Sequence, residues 1–391
     1  MVICIVTEHF SLTRIHLLSI GLWPYYRPKF VRLQFFLCSS ILISFIIFQL
    51  TPFLVVQYTI NIIIKNLSLT LFFSIYMIVY NTCWINGDKI KFLLEQLQHI
   101  CNQLKDENEV AIIKKYGNYA KQYAAIFTSF TMCSMFTFML LPFWPRLLKI
   151  VLLINESQTL GKLQITTEYF INQEQYLYLI LLHIDTAVWI GSATLVGTGL
   201  VIIEYCKHMC GIFSIASYRI QHAMSMLENI SLENEIRMYK EMTYAIDIHC
   251  KAMKYSEFLI FSFERTFLLL AMIIVITLSL NLFGNMLLRD DIETLILHVV
   301  ITSILFIMLF LINYTGQEIT DHSNYVLSTA YNVNWYIAPL RIQKLILFLL
   351  QRGCKIFNLK IINLFVLSME CFATLTKASV SYFTILYSMQ Q

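Results

Sequence analysis

The last apolar segment of the chain, residues 370–391, carries a regular stripe of polar side chains. The stripe consists of Glu370, Thr374, Lys377, Ser381, Thr384 and Ser388. At about 100° per residue, these positions lie within roughly 40° of one line along a helix. Charged groups inside a membrane face the bundle interior or water. The stripe therefore either hydrogen-bonds to neighbouring helices or lines a water-filled conduit for ions.

Few other residues of the chain could act in catalysis or metal binding. Cys206 and Cys210 flank His208 and are possible metal ligands, but the ten cysteines form no CxxC pairs, so we expect reduced thiols and no metal site. His183 and Asp185 are two residues apart on a predicted helix and face different directions. Because no HExxH or GxSxG motif is present, the sequence predicts neither an enzyme nor a cofactor.

The composition indicates a membrane protein. Of the 391 residues, 58% are apolar and only 13% are charged, and the mean hydropathy is +0.66. Soluble domains are nearer half apolar and a quarter charged. The net charge of +4 is small and dispersed, so no nucleic-acid partner is expected.

Runs with few or no charged residues divide the chain into seven predicted membrane helices, since about 20 apolar residues span a bilayer. The fourth run contains His183 and Asp185. The predicted spans are residues 33–52, 66–87, 122–145, 175–203, 266–288, 294–317 and 361–388. The last span contains the polar stripe. The predicted fold class is therefore an all-α membrane protein with seven transmembrane helices.

Lysine and arginine are distributed unevenly between the two sides of these spans. The N-terminus and the loops after helices two, four and six hold 21 basic residues, whereas the other three loops hold 5. Basic residues of short loops stay in the cytosol. The sequence thus predicts a cytosolic N-terminus and an extracellular C-terminus, which is opposite to a metabotropic seven-helix receptor.

Apolar periodicity continues outside the spans, on the cytosolic side, so we expect long helices to extend beyond the membrane into a cytosolic anchor domain. One predicted helical seam consists of Tyr239, Met242, Ile246, His249 and Met253. A second apolar run, residues 345–350, lies between Lys344 and Arg352 and is too short to cross a bilayer. We expect this run, with Leu347 at its centre, to be buried among cytosolic helices or to contact another subunit.

Several short motifs, in order along the chain, resemble those of the insect odorant receptors. They are GLWP (21–24), ASYRIQHA (216–223), YNVNWY (331–336) and KASVSYFTIL (377–386), and EYFINQEQYLYLILLHI (168–184) resembles the large receptor expansion of ants, bees and wasps. Through these motifs the chain resembles that family over nearly the full length of the chain.

The resemblance implies an inverted seven-helix subunit of a tetrameric, ligand-gated, non-selective channel for Na⁺, K⁺ and Ca²⁺. It implies assembly with the common odorant receptor co-receptor (Orco) in the dendritic plasma membrane of olfactory sensory neurons, in contact with membrane lipid. In the family the seventh helix lines the pore, here through Lys377, Ser381 and Thr384. The outer gate then falls at Ile385 and Met389, with Ser388 beside them. Only about 60 residues join helices four and five, so the chain resembles a tuning subunit rather than the co-receptor.

The resemblance also implies a pocket for a hydrophobic odorant, volatile or cuticular, in the outer half of the subunit. The candidate lining residues are Phe73, Tyr76, Met77, Tyr80, Phe136, Met139, Leu140, Phe143, Trp189, Thr194 and Phe283. The spacing of the four candidates on helix two places them on one face, a pattern that plain packing also produces. The glycines of GSATLVGTG, residues 191–199, allow either close helix packing or space for a ligand.

The chain accordingly divides into three predicted regions. Residues 1–316 hold the N-terminal region and helices one to six, residues 317–360 a cytosolic anchor, and residues 361–391 the pore-lining helix. Two alternatives remain open from the residues alone: a homomeric gustatory-receptor-like channel, and a metabotropic receptor. The first lacks its C-terminal Thr-Tyr-x-x-x-x-x-Gln-Phe signature, and the second lacks Asp-Arg-Tyr and Asn-Pro-x-x-Tyr motifs.

Overall fold

The computed structural model describes residues 8–26, 28–55, 60–140, 167–172, 175–228, 231–287, 292–353, 357–362 and 364–389. These residues form α-helices and one small hairpin. The helices are α1 Ser11–Ser19, α2 Lys29–Leu50, α3 Pro52–Val55, α4 Ile60–Ile85, α5 Gly87–Asn102, α6 Glu107–Leu140, α7 Leu177–Ser225, α8 Leu232–Leu287, α9 Ile292–Asn332, α10 Leu340–Gly353 and α11 Met369–Ser388. Between α10 and α11, β1 Lys360–Ile361 pairs antiparallel with β2 Phe365–Val366.

The all-α membrane fold predicted from composition is confirmed. Among the described residues, six helices are long and apolar enough to cross a membrane: α2, α4, α6, α7, α8 and α9. The last helix, α11, has 20 residues and is about 30 Å long. It is not among the six because its polar stripe lowers its hydropathy.

Local backbone chemistry explains how the first membrane helix is delimited. Gly21 lies between α1 and α2 with φ +73°, a conformation that favours glycine. The side-chain amide of Gln34 donates to the Ser19 carbonyl at 2.8 Å, which fixes α1 against α2. At the other end, α2 stops at Leu50 because Pro52 provides no N–H and opens a new helix.

The central helices are far longer than a membrane is thick. α7 has 49 residues and is therefore about 74 Å long, whereas the hydrocarbon layer is about 30 Å thick. The remainder of α7 extends beyond the membrane and packs against α6 and α8. α9 continues without a break across residues 316 and 317, where the sequence predicted a boundary between two regions.

The apolar seam on α8 is displaced from its predicted position. Met242 and His249 are buried as expected, but Tyr239 is 44% exposed, and Ile246 and Met253 are only partly buried. The remaining buried positions are Met238, Ala245, Ile248 and Ala252. The sequence argument favoured large side chains, whereas closely packed helices place alanine at the contact.

The anchor helix α10 has two different faces. Ile342, Ile346 and Leu349 are buried against the subunit, whereas Leu347 is 51% exposed and Phe348 is 68% exposed. The prediction that Leu347 is buried among helices of its own chain is therefore wrong. The exposed apolar face leaves contact with another chain as the remaining expectation for Leu347.

Candidate ligand cavity and pore helix

An apolar cavity of about 320 Å³ lies between helices α4 to α9. None of the described residues that line it carries a charge. The aromatic and sulfur-containing lining residues are Phe72, Phe73, Tyr76, Cys83, Phe127, Phe130, Met135, Phe138, Tyr205, Phe263, Phe267 and Met308. The cavity is partly open, since Phe130 and Val300 of its lining are also exposed on the surface. A concave, apolar lining of this kind is typical of small-molecule sites.

The cavity is elongated along the helix axes. On α7 its lining extends from Val188 to Tyr205, and on α9 from Leu297 to Thr315. Seventeen or eighteen residues of α-helix correspond to about 25 Å. The space therefore suits a long, narrow molecule better than a compact one.

Two glycines on α7 shape this space in different ways. A Cβ at Gly191 would lie 2.0 Å from the Tyr76 ring, so this glycine lets the ring pack directly on the α7 backbone. A Cβ at Gly199 would meet nothing within 4 Å, and Gly199 lines the cavity. Both functions suggested by the glycine-rich segment, close packing and free space, are thus present.

Hydroxyl groups in the cavity wall mostly donate to their own helices. Thr131 donates to the Phe127 carbonyl at 2.7 Å, and Thr198 donates to the Thr194 carbonyl at 2.7 Å. The Tyr205 hydroxyl is different. It has no hydrogen-bond partner among the described residues, although the side chain is only 1% exposed. Tyr205 thus adds a buried hydroxyl donor without a partner to one end of the cavity lining.

The candidates on α4 separate into two groups. Phe73 and Tyr76 line the cavity. Met77 lies outside the lining and packs against the core. Tyr80 donates to the Ile20 carbonyl at 3.0 Å and stacks on Phe35, so it fixes the N-terminal segment.

Six further predicted pocket residues lie outside the cavity wall of this structure. Phe136, Met139 and Leu140 lie on an exposed face of α6, while Phe130, Ser134 and Phe138 of the same helix line the cavity. Phe143 lies outside the described residues. The remaining three do not line the cavity either: Trp189 is 38% exposed, Thr194 is buried and donates to Ile190, and Phe283 is buried on α8.

The sequence candidates included no residue of α5 or α9, although the sixth predicted helix, now α9, was among those expected to surround the pocket. Ile90, Leu93 and Leu94 of α5 line the cavity. On α9 the lining residues recur at spacings of three and four: Leu297, Val300, Ile301, Ile304, Ile307, Met308, Leu311, Ile312 and Thr315. Because α9 is apolar on all sides within the membrane, no periodic signal distinguishes its cavity face from its lipid face.

His183, near the start of α7, connects α7 to α2 and to residues 167–172. Its Nδ1 lies 2.8 Å from the Tyr169 hydroxyl, and its Nε2 lies 3.0 Å from the Ser44 hydroxyl on α2. The Thr51 hydroxyl also lies 2.6 Å from the Glu168 carbonyl. These bonds hold residues 167–172 against α2 and α7. His183 therefore has a structural role here.

The polar stripe on α11 faces away from the subunit. All six stripe residues are exposed, as are the predicted gate residues Ile385 and Met389, at 53% and 80%. Ser379, on the other side of the helix, is the only buried residue of α11. The Ser279 hydroxyl of α8 lies 2.9 Å from the Ser379 carbonyl and 2.7 Å from the Val275 carbonyl of its own helix, so α11 packs on α8 through this side.

In the part of the chain that the structure describes, the stripe hydrogen-bonds only to its own helix. The hydroxyls of Thr374, Thr384 and Ser388 donate to carbonyls three or four residues earlier. Among the described residues, Lys377 takes part in no ion pair. Packing of the stripe against neighbouring helices of the same subunit is therefore not observed.

The base of α11 is joined tightly to α9. A Cβ at Gly316 would lie 2.3 Å from the Leu367 side chain, so only glycine lets Leu367 pack this close to α9. The Ser368 hydroxyl caps α11 by accepting from the Cys371 amide at 3.2 Å. Phe372 then packs edge-on against Phe306 and Phe310 of α9. Displacement of α9 would therefore reach the polar helix directly.

Comparison with known proteins agrees with this architecture. Residues 59–380 match the profile of the family described as 7tm Odorant receptor. No curated protein matches the chain. The solved structure of the insect olfactory receptor OR5 from Machilis hrabei in complex with eugenol has a TM-score of 0.74 and 13% identity, over 98% of this chain and 97% of that chain. A second OR5 structure has a TM-score of 0.76 and 13% identity, over 97% and 98%. At this identity the two structures establish the shared fold.

Proposed function

This chain belongs to the 7tm odorant receptor family, and from that premise we propose that it is a tuning subunit of an odorant-gated, non-selective cation channel. The observation that carries the proposal is the outward orientation of the α11 stripe. A row of charged and hydroxyl groups is costly against lipid. The same row is favourable where several subunits surround a common aqueous pore.

The distribution of basic residues supports the inverted orientation of this subunit, with the C-terminus of α11 outside the cell. The exposed apolar face of α10, which includes Leu347 and Phe348, supports assembly with another chain on the cytosolic side. We take the co-receptor as that partner and the plasma membrane of olfactory dendrites as the location. Na⁺, K⁺ and Ca²⁺ are the proposed permeant ions.

The cavity supports a hydrophobic ligand with an extended shape. Its wall is apolar and uncharged, and its length along α7 and α9 is about 25 Å. OR5 of Machilis hrabei binds eugenol in its solved complex, and the present cavity is proposed to take a longer molecule. Cuticular and other long-chain semiochemicals with few polar atoms fit this description. Phe73 and Tyr76 are the proposed contacts that the sequence identified.

Recording from cells that express the chain alone, the co-receptor alone, or both tests the proposal. We expect currents evoked by long-chain semiochemicals only from cells that express both proteins. A current of equal size from this chain alone would favour the homomeric gustatory-type alternative. A response that survives removal of permeant cations and requires G proteins would favour a metabotropic receptor.

The free hydroxyl of Tyr205 gives a prediction about ligand chemistry. Tyr205→Phe should reduce the potency of ligands with one oxygen acceptor by roughly three- to tenfold, because one hydrogen bond contributes about 0.5–1.5 kcal/mol. An alkane of the same length should lose no potency. Dose–response curves of the paired ligands measure the difference, with Tyr239→Phe in the cytosolic part of α8 as control. Equal losses for both ligands would show that Tyr205 acts only through packing.

A further inference from the structure

A second cluster of chemically active side chains lies between α7 and α9, outside the odorant cavity. The Cys210 sulfur, a Glu318 carboxylate oxygen and a His322 ring nitrogen all lie within 4.8 Å of one another. Cys210 is fully buried, whereas Glu318 and His322 are partly accessible. We propose that these three residues form a Zn²⁺ site that links α7 to α9.

The donor set is appropriate for zinc. Thiolate, imidazole and carboxylate are its protein ligands, and three protein ligands with water in the fourth position make an open tetrahedral site. Ligand atoms of such a site are about 3.5 Å apart. Side-chain movements of about 1 Å would therefore bring the three ligand atoms to these separations.

His322 is already oriented as a ligand. Its Nδ1 lies 2.8 Å from the Glu318 carbonyl, so Nδ1 carries the proton and Nε2 presents a lone pair. In the absence of metal, Nε2 lies 2.8 Å from the Tyr116 hydroxyl. That hydroxyl also lies 2.8 Å from Ser214 Oγ, whose own proton is donated to the Cys210 carbonyl. The single Tyr116 proton thus has two acceptors, and a metal on Nε2 leaves it bonded to Ser214.

Glu318 keeps one carboxylate oxygen for the metal. Lys207 Nζ lies 2.7 Å from Oε1, which leaves Oε2 to bind. Lys207 is itself held between the rings of Tyr123 and Tyr314, at 4.7 and 5.8 Å. A hydrogen bond from outside the coordination shell commonly orients a metal-bound carboxylate. The Lys207 charge opposes the cation, and the Cys210 thiolate formed on binding offsets it.

The site lies where it could influence the channel. Glu318 follows Gly316, the residue of α9 that packs against Leu367 at the base of α11. A metal that ties Glu318 and His322 to Cys210 on α7 would hold α9 in place next to this contact. The site would therefore regulate the helix pair that connects the cavity wall to α11.

Metal binding by the purified full chain tests this inference without any odorant or co-receptor, so its outcome is independent of the proposed function. We expect Zn²⁺ to bind with a stoichiometry of one, measured by competition with a fluorescent chelator. Cys210→Ser and His322→Asn should each weaken binding at least tenfold. Cys206→Ser, one turn away and also buried, is the matched control and should bind as the unmodified chain does.

Co²⁺ gives a readout that reports the thiolate itself. The Co²⁺-loaded chain should show sulfur-to-cobalt charge-transfer absorption, which Cys210→Ser abolishes and Cys206→Ser preserves. Size-exclusion profiles establish that each variant is folded, and Glu318→Gln serves as a third ligand variant. Absence of stoichiometric Zn²⁺ binding, or binding unchanged in Cys210→Ser and His322→Asn, would overturn the assignment.

Discussion

Replacement of Arg219 by methionine is expected to destabilise the protein by about 3–5 kcal/mol, the cost of removing one partner from a buried ion pair. The Arg219 guanidinium pairs with Glu109 of α6, and its Nη1 donates to Glu241 of α8 at 2.9 Å. It also lies 3.8 Å from the ring centre of Tyr244. Arg219→Met leaves the Glu109 carboxylate, only 1% exposed, without its counter-charge.

Thermal unfolding of the solubilised chain measures this effect, and surface delivery in cells should fall with it. Arg237→Met, at an exposed position on α8, is the matched control and should unfold like the unmodified chain. Adding Glu109→Gln to Arg219→Met should restore part of the stability, since the buried group is then neutral. An unchanged unfolding midpoint in Arg219→Met would show that the cytosolic helices are held together by other contacts.

Charge reversal at Lys377 should change which ions permeate. At about 10 Å in water, two unit charges interact by about 0.4 kcal/mol. Reversing the charge alters the energy of a monovalent cation by about twice this value and that of a divalent cation by about four times. Lys377→Glu should therefore raise the calcium-to-sodium permeability ratio about fourfold per facing side chain, and more in a narrow pore. The odorant concentration for half-activation should stay the same.

Reversal potentials in bi-ionic solutions measure the permeability ratio. Lys360→Glu is the matched control, because Lys360 is an exposed lysine on β1, outside the α11 stripe. Lys377→Gln should give an intermediate ratio. Equal permeability ratios for Lys377→Glu and the unmodified chain would place the stripe outside the ion pathway.

Much of the fold follows from simple sequence patterns. Uncharged runs identified the membrane-crossing parts of α2, α4 and α6 to α9, because hydrocarbon excludes charge. The last predicted span, residues 361–388, was eight residues too long at its start. There the chain forms the β1–β2 hairpin and the Ser368 cap before α11 begins. The sequence predicted that long helices continue beyond the membrane. The lengths of α7 and α8 were not predictable in the same way, since polar and apolar residues are interspersed there as in soluble helices.

The functional features were predictable to different degrees. The α11 stripe was identified because periodicity fixes which residues share a face, and the structure then showed that this face is exposed. For the cavity, only Phe73 and Tyr76 line it among the predicted residues that the structure describes. Membrane helices are apolar all round, so burial depends on tertiary packing. The Cys210–Glu318–His322 cluster joins residues more than 100 positions apart. Local spacing had instead grouped Cys210 with His208, which lies 2.9 Å from His9.

The most direct test of the central claim, that the α11 stripe lines an ion pathway, is cysteine accessibility on that helix. Ser381→Cys and Ser388→Cys lie on the exposed stripe, and Ser379→Cys, two residues from Ser381, is buried against α8. In cells that also express the co-receptor, a charged thiol reagent applied from outside should reduce the odorant-evoked current of Ser381→Cys and Ser388→Cys. It should leave Ser379→Cys unaffected. Reaction at Ser379→Cys alone, or at none of the three with the channel open, would contradict both the pore-lining stripe and the outward C-terminus.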